Sequence, residues 1–134
     1  TLLTDTEVIT YIMDFLHRKK KLTLKEIAAI VAAPFWSEIE KMPKEERDRY
    51  TYLRDNFASL LITGPFSILL GFKGTMMALN DRLKLRSMVV AEKGKRVYVA
   101  SEESAIREIC PDPEKVWSPK GGEPVIVTLD DMNI

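Results

Sequence analysis

The chain has 134 residues, 46% of them hydrophobic and 30% charged, ordinary values for one globular domain. Its 20 Lys and Arg cancel its 20 Asp and Glu, so no net field draws it toward nucleic acid or an anionic membrane. The longest apolar run, Phe66–Phe72, falls far short of the roughly 20 residues that span a bilayer.

A single cysteine excludes an internal disulfide and fits a reducing compartment, so the chain is expected in the cytoplasm. No signal peptide is visible, because Asp5 and Glu7 follow at once on the apolar start. The chain opens at Thr1, without methionine and directly into a helix cap, and is expected to be missing its beginning.

Thr4-Asp5-Thr6-Glu7 has the spacing of a capping box, in which a threonine hydroxyl and a glutamate satisfy each other's backbone amides at a helix start. Val8, Ile12, Phe15 and Leu16 then recur at helical spacing as a buried stripe, and the cations of His17–Lys21 close the helix at the negative end of its dipole. Thr23-Leu24-Lys25-Glu26 repeats the box and starts a second helix through Ile27, Ile30 and Val31, which Pro34 ends. Phe35 and Trp36 are expected to pack between helices, Trp36 as a core indole rather than a stacking platform. Pro43 suits a first helical turn, and the helix that follows from Lys44 to Asp55 carries the pairs Lys44–Asp48 and Glu45–Arg49 on a solvated face. Ser59–Thr63 reads as a short strand or extended entry.

From Gly64 to Glu102 four short apolar runs are divided by glycines and charges. The pattern predicts an antiparallel meander of Ser67–Phe72, Thr75–Asn80, Arg86–Glu92 and Arg96–Ala100, reversing at Gly71–Gly74 and Glu92–Lys95. A short helix follows, with Ala105, Ile106 and Ile109 facing in, then a strand at Lys115–Trp117 and a closing strand at Pro124–Leu129. Helices first and strands later argue for an α+β fold, a helical layer over 1–58 followed by a mainly antiparallel sheet over 59–134.

The nucleotide-binding fingerprints are absent, and one His with one Cys cannot furnish a zinc site, so no cofactor and no metal are expected. Cys110 has no neighbouring feature that would stabilise its thiolate. Asp5 is the more interesting group. In the first turn of its helix it either stabilises the dipole or stands as a fixed anion aimed at an ammonium group.

Several residues together resemble a known family. Thr4-Asp5-Thr6-Glu7-Val8-Ile9 is similar to the TD[ST]EV signature of class II glutamine amidotransferases, whose nucleophile is the N-terminal residue. Ala33-Pro34-Phe35-Trp36-Ser37-Glu38-Ile39, Tyr52-Leu53-Arg54, Gly64-Pro65-Phe66, Asp81-Arg82, Leu85-Arg86 and Ala100-Ser101-Glu102 resemble, in the same order, the glutaminase domain of an archaeal-type glutamate synthase, over about residues 4–130. The resemblance implies a four-layer αββα sandwich of the N-terminal-nucleophile hydrolase type and hydrolysis of glutamine to glutamate and ammonia. It also implies that this chain is the C-terminal half of that domain. The family's cysteine nucleophile, carboxylate-gripping arginine and Asn-Gly oxyanion hole belong to the N-terminal half and are not in this sequence. No catalytic residue is therefore expected here, and the chain alone is expected to be inactive.

By motif matching, Asp5 binds the α-ammonium of the substrate glutamine. The implied partners are glutamine, the N-terminal half of the domain and the synthase domain or subunit, with no nucleic acid and no membrane. The sequence departs from the family at one turn. Where the bacterial pattern reads Asp-Arg-Asn-Gly-Leu-Arg-Pro, this chain reads Asp81-Arg82-Leu83-Lys84-Leu85-Arg86-Ser87, so the backbone is expected to lose whatever geometry that glycine provides. Arg82 and Arg86 are read as salt-bridge or surface residues. The competing readings are the same domain of another amidotransferase, or a catalytically dead relative kept as an interaction or regulatory module.

Overall fold

The computed structural model describes residues 4–129; the segments 1–3 and 130–134 lie outside the described residues. The chain forms two units, 1–62 and 63–134.

The first unit is helical. Thr4, in extended conformation, caps α1 (Asp5–Asp14), and its hydroxyl accepts the Glu7 amide at 3.2 Å. The helix runs straight into a π turn over Phe15–Lys19, whose last residues are the cations expected at a helix end. The buried stripe is shifted from the one the sequence suggests. Val8 is 38% exposed and Phe15 43%, while Met13 and Leu16 are buried and Ile9 and Ile12 half-buried. The series 9, 12, 13, 16 is one helical face; Val8, Tyr11 and Phe15 lie on its outer side.

Thr23 and Glu26 complete the expected capping box at the start of α2 (Leu24–Val31), which buries Ile27, Ala28, Ala29, Ile30 and Val31. Two helices follow, α3 (Trp36–Ile39) and α4 (Lys44–Phe57), which place Ile39 and Leu53 inside. The Glu45–Arg49 pair expected along α4 gives way to a bridge between helices, from Arg49 to Glu26 on α2. Phe35 and Trp36 are not core residues. Both are exposed, and the Arg54 guanidinium stacks over the Trp36 ring at 4.7 Å while donating to the Pro34 carbonyl. In place of a strand near residue 60 there is one 3₁₀ turn, Ala58–Leu60, and the Ile62 amide then bonds the Val31 carbonyl.

The second unit holds the strands β1 (Ser67–Phe72), β2 (Thr75–Asn80), β3 (Val89–Lys93), β4 (Arg96–Ala100), β5 (Lys115–Trp117) and β6 (Val125–Thr128), with α5 (Glu103–Ile109) after β4. All strand pairings are antiparallel, but they build two three-stranded sheets, β1-β2-β6 and β4-β3-β5, instead of one meander. The α+β class holds, and the single continuous sheet does not. The division comes from residues 81–88. The expected third strand starts at Val89, not Arg86, because the chain ahead of it is folded into a turn by Asp81.

Each sheet is centred on its most buried strand. Met77, Ala78 and Leu79 of β2 and Val90 and Ala91 of β3 are fully buried. The β1–β2 reversal uses Lys73 and Gly74, both with positive φ (45° and 72°), the pairing that matches the twist of a hairpin. On the second sheet, Val89, Ala91, Tyr98, Ala100 and Val116 form one face, and α5 covers it with Ile106 and Cys110. At the hairpin ends of the two sheets a groove of about 470 Å³ opens between Phe72, Met76 and Val127 on one side and Lys95 and Val97 on the other. Ile109 and Ala105, expected to face inward, point outward; on a helix this short only the 106/110 pair reaches the sheet.

Ile106 is 2% exposed and Ile109 75%, which separates their roles in one experiment. Ile106→Ala is expected to destabilise the protein by about 2–4 kcal/mol in urea denaturation, and Ile109→Ala by no more than about 0.5 kcal/mol. Equal losses would show that α5 packs through its other face.

Candidate functional site

Asp5 sits where the sequence places it, in the first turn of α1 beside its Thr4 cap. Its carboxylate is exposed and has no hydrogen-bond or ion-pair partner among the described residues. The helix dipole supplies a positive potential there, so the charge is held without being neutralised. Such a group can accept from an ammonium. Arg82 and Arg86 lie in the other unit, on the turn that follows β2.

That turn is built around a residue the sequence reading quoted only as part of a motif. Asp81 is 1% exposed, and its two carboxylate oxygens accept three backbone amides: Phe66 at 3.3 Å and Arg86 at 3.1 Å on one oxygen, Leu85 at 2.7 Å on the other. Its own amide bonds the Phe66 carbonyl at 3.0 Å, and its carbonyl accepts the Lys84 amide at 2.9 Å. Burial alone would raise the carboxyl pKa. The amides of Leu85, Arg86 and Phe66 outweigh that and hold it below the usual carboxylate range. Asp81 is therefore an anion kept inside the protein by backbone donors, with no ion-pair partner among the described residues.

Asn80 beside it is also fully buried, and its side-chain amide donates to the Arg86 carbonyl at 3.0 Å. A second loop closes on this turn. Gly122 donates to the Asn80 carbonyl at 3.1 Å, Lys84 Nζ reaches Ser118 Oγ at 2.7 Å, and Ser118 in turn donates to the Met88 carbonyl at 2.9 Å. Gly121 lies so close that a Cβ there would stand 2.5 Å from the Arg82 carbonyl oxygen, a contact no other residue can make.

Lys84 is the most unusual residue of the turn. Its φ is +55°, in the left-handed region that favours glycine, and it occupies the position of the glycine in the Asp-Arg-Asn-Gly-Leu-Arg pattern. The turn thus holds a lysine in a backbone conformation that glycine adopts more readily. Three amides drawn onto one carboxylate impose that conformation. The signal available in the sequence was an Asn-Asp pair closing an apolar strand, since short side chains of this kind bond nearby backbone amides.

Other candidates resolve into structural roles. Cys110 is buried against Ala91 and Ile106. His17 Nδ1 lies 3.0 Å from the Leu22 carbonyl at the end of the π turn. Among the described residues no group of His, Cys, Asp and Glu is arranged to hold a metal ion, and no helix is long and apolar enough to cross a membrane.

No family model matches the chain, and no solved structure matches it. An Archaeoglobus fulgidus protein described as "Uncharacterized protein" is 47% identical over 129 residues. The match takes in 96% of this chain but 34% of that protein, so the chain spans about a third of the relative's length.

Asp81→Asn keeps the shape but turns one acceptor into a donor facing an amide, and is expected to cost about 2–3 kcal/mol in chemical denaturation. The folded pKa of Asp81 lies below its unfolded value of about 4. The carboxylate's contribution is thus present above that pH and is lost as pH falls through it toward the folded pKa. Stability of the native protein should drop along this limb, and the Asn variant should show a flatter one. Lys84→Gly removes the left-handed strain at the cost of one exposed hydrogen bond and is expected to stabilise by about 1 kcal/mol, read as a higher Tm.

Proposed function

We propose that this chain is the C-terminal part of a class II glutamine amidotransferase domain, with the αββα architecture of the N-terminal-nucleophile hydrolases, serving a glutamate synthase. In the longer polypeptide the domain hydrolyses glutamine to glutamate and ammonia in the cytoplasm, without a cofactor. The nucleophile and the oxyanion hole come from the N-terminal half, and Asp5 takes the α-ammonium of the substrate.

The observation that carries this reading is the backbone at Lys84. A lysine held at φ +55° where the family's pattern has glycine is what a backbone shaped for glycine would leave, and it supports the resemblance. Two antiparallel sheets within one unit, one of them covered by a helix, are in keeping with it. So is a relative that continues well beyond the matched third.

The chemistry assigned to Asp5 follows from its setting. A carboxylate without an internal partner, at the positive end of a helix, discriminates a free amino acid from a simple amide by forming a charge-assisted hydrogen bond to the ammonium. In the longer polypeptide, Asp5→Ala is expected to raise the KM for glutamine about 30- to 100-fold, equivalent to roughly 2–3 kcal/mol, with kcat changed far less. The measurement is glutamate release against glutamine concentration. An unchanged KM assigns Asp5 to helix capping alone, and a longer polypeptide with no glutaminase activity turns the reading toward an interaction module. The 134-residue chain by itself should release no glutamate.

A further inference from the structure

We infer that the buried side chain of Asn80 holds an internal water molecule at the corner where the chain leaves β2. Asn80 is fully buried, and its amide nitrogen is committed to the Arg86 carbonyl at 3.0 Å. Its oxygen, Oδ1, is buried as well and has no hydrogen-bond partner among the described residues. Reversing the amide does not cure this. It would set two oxygens against each other at Arg86 and leave a nitrogen in the orphaned place instead.

A buried acceptor without a donor is disfavoured strongly enough that native proteins rarely leave one. The donor has to be small. Oδ1 is closed to solvent by this chain's own atoms, so no side chain or backbone of another polypeptide, and no amino-acid substrate, reaches it without opening the corner. Water fits the size limit, and it offers two protons that an amide oxygen and a neighbouring backbone carbonyl can share. The chain around Asn80 is polar: the Asp81 carboxylate with its amides comes next, Gly122 donates to the Asn80 backbone carbonyl, and Gly121 packs against the Asp81 and Arg82 carbonyls. The inference does not depend on the glutaminase reading.

The test is a crystal structure of the chain at about 1.5 Å or better. A fully occupied water peak at hydrogen-bond distance from Asn80 Oδ1 is expected, and Asn80→Leu, which removes the acceptor, should lose that peak. In solution, the amides of Arg86 and Gly122 should show cross-relaxation to a long-lived water in the native protein and none in the variant. A protein donor found on Oδ1, or an empty site in the crystal together with no long-lived water in solution, would overturn the proposal. If Asn80→Leu fails to fold, the native crystal and the native cross-relaxation still decide it.

Discussion

The second unit depends on one buried charge. Asp81 has no ion-pair partner among the described residues, only three backbone amides on its carboxylate oxygens, and those amides come from the entry to β1 and from the turn after β2. An ionised group can remain inside a protein when hydrogen bonds to its charged form replace the water it gave up. Here that replacement also decides topology. By drawing Leu85 and Arg86 inward it stops the β2 ladder from running on into β3, so the chain leaves one sheet and starts another.

Much of this was legible in the residues. The capping box at Thr23, the hairpin at Lys73-Gly74, the short strand at Lys115–Trp117 and the order of helices before strands all rest on local rules that tertiary packing did not override. What failed was of two kinds. The inward face of α1 was placed one residue off, since Val8 and Phe15 are apolar but lie outside, and hydrophobicity alone does not say which of two adjacent stripes is covered. The division into two sheets was invisible because it is set by a side chain accepting from amides four and five residues onward and fifteen residues back. Periodicity carries no trace of such a bond. Asp5, by contrast, was easy to find and its helix position was read correctly, but a charge exposed at a helix start has the same sequence signature whether it serves a ligand or the helix.

The two units contribute differently to the proposed glutaminase role. The helical unit offers an exposed, unneutralised carboxylate, which is useful only if something cationic arrives. The sheet unit keeps its cysteine buried and holds the Asp81 carboxylate inside, on backbone amides. On the proposed reading this chain binds substrate and supports the site, and the bond-breaking groups come from the N-terminal half.

The chain passes between the sheets twice more than any single hairpin requires, once through 81–88 and once through the loop that leads from β5 to β6, and both passages share hydrogen bonds at one corner. Away from that corner, at the hairpin ends, the same two sheets border an open apolar groove. The two sheets are thus tied together at one end and border a groove at the other. A side chain larger than hydrogen at Gly121 would therefore press on both connections at once, although it lies far along the strands from the groove.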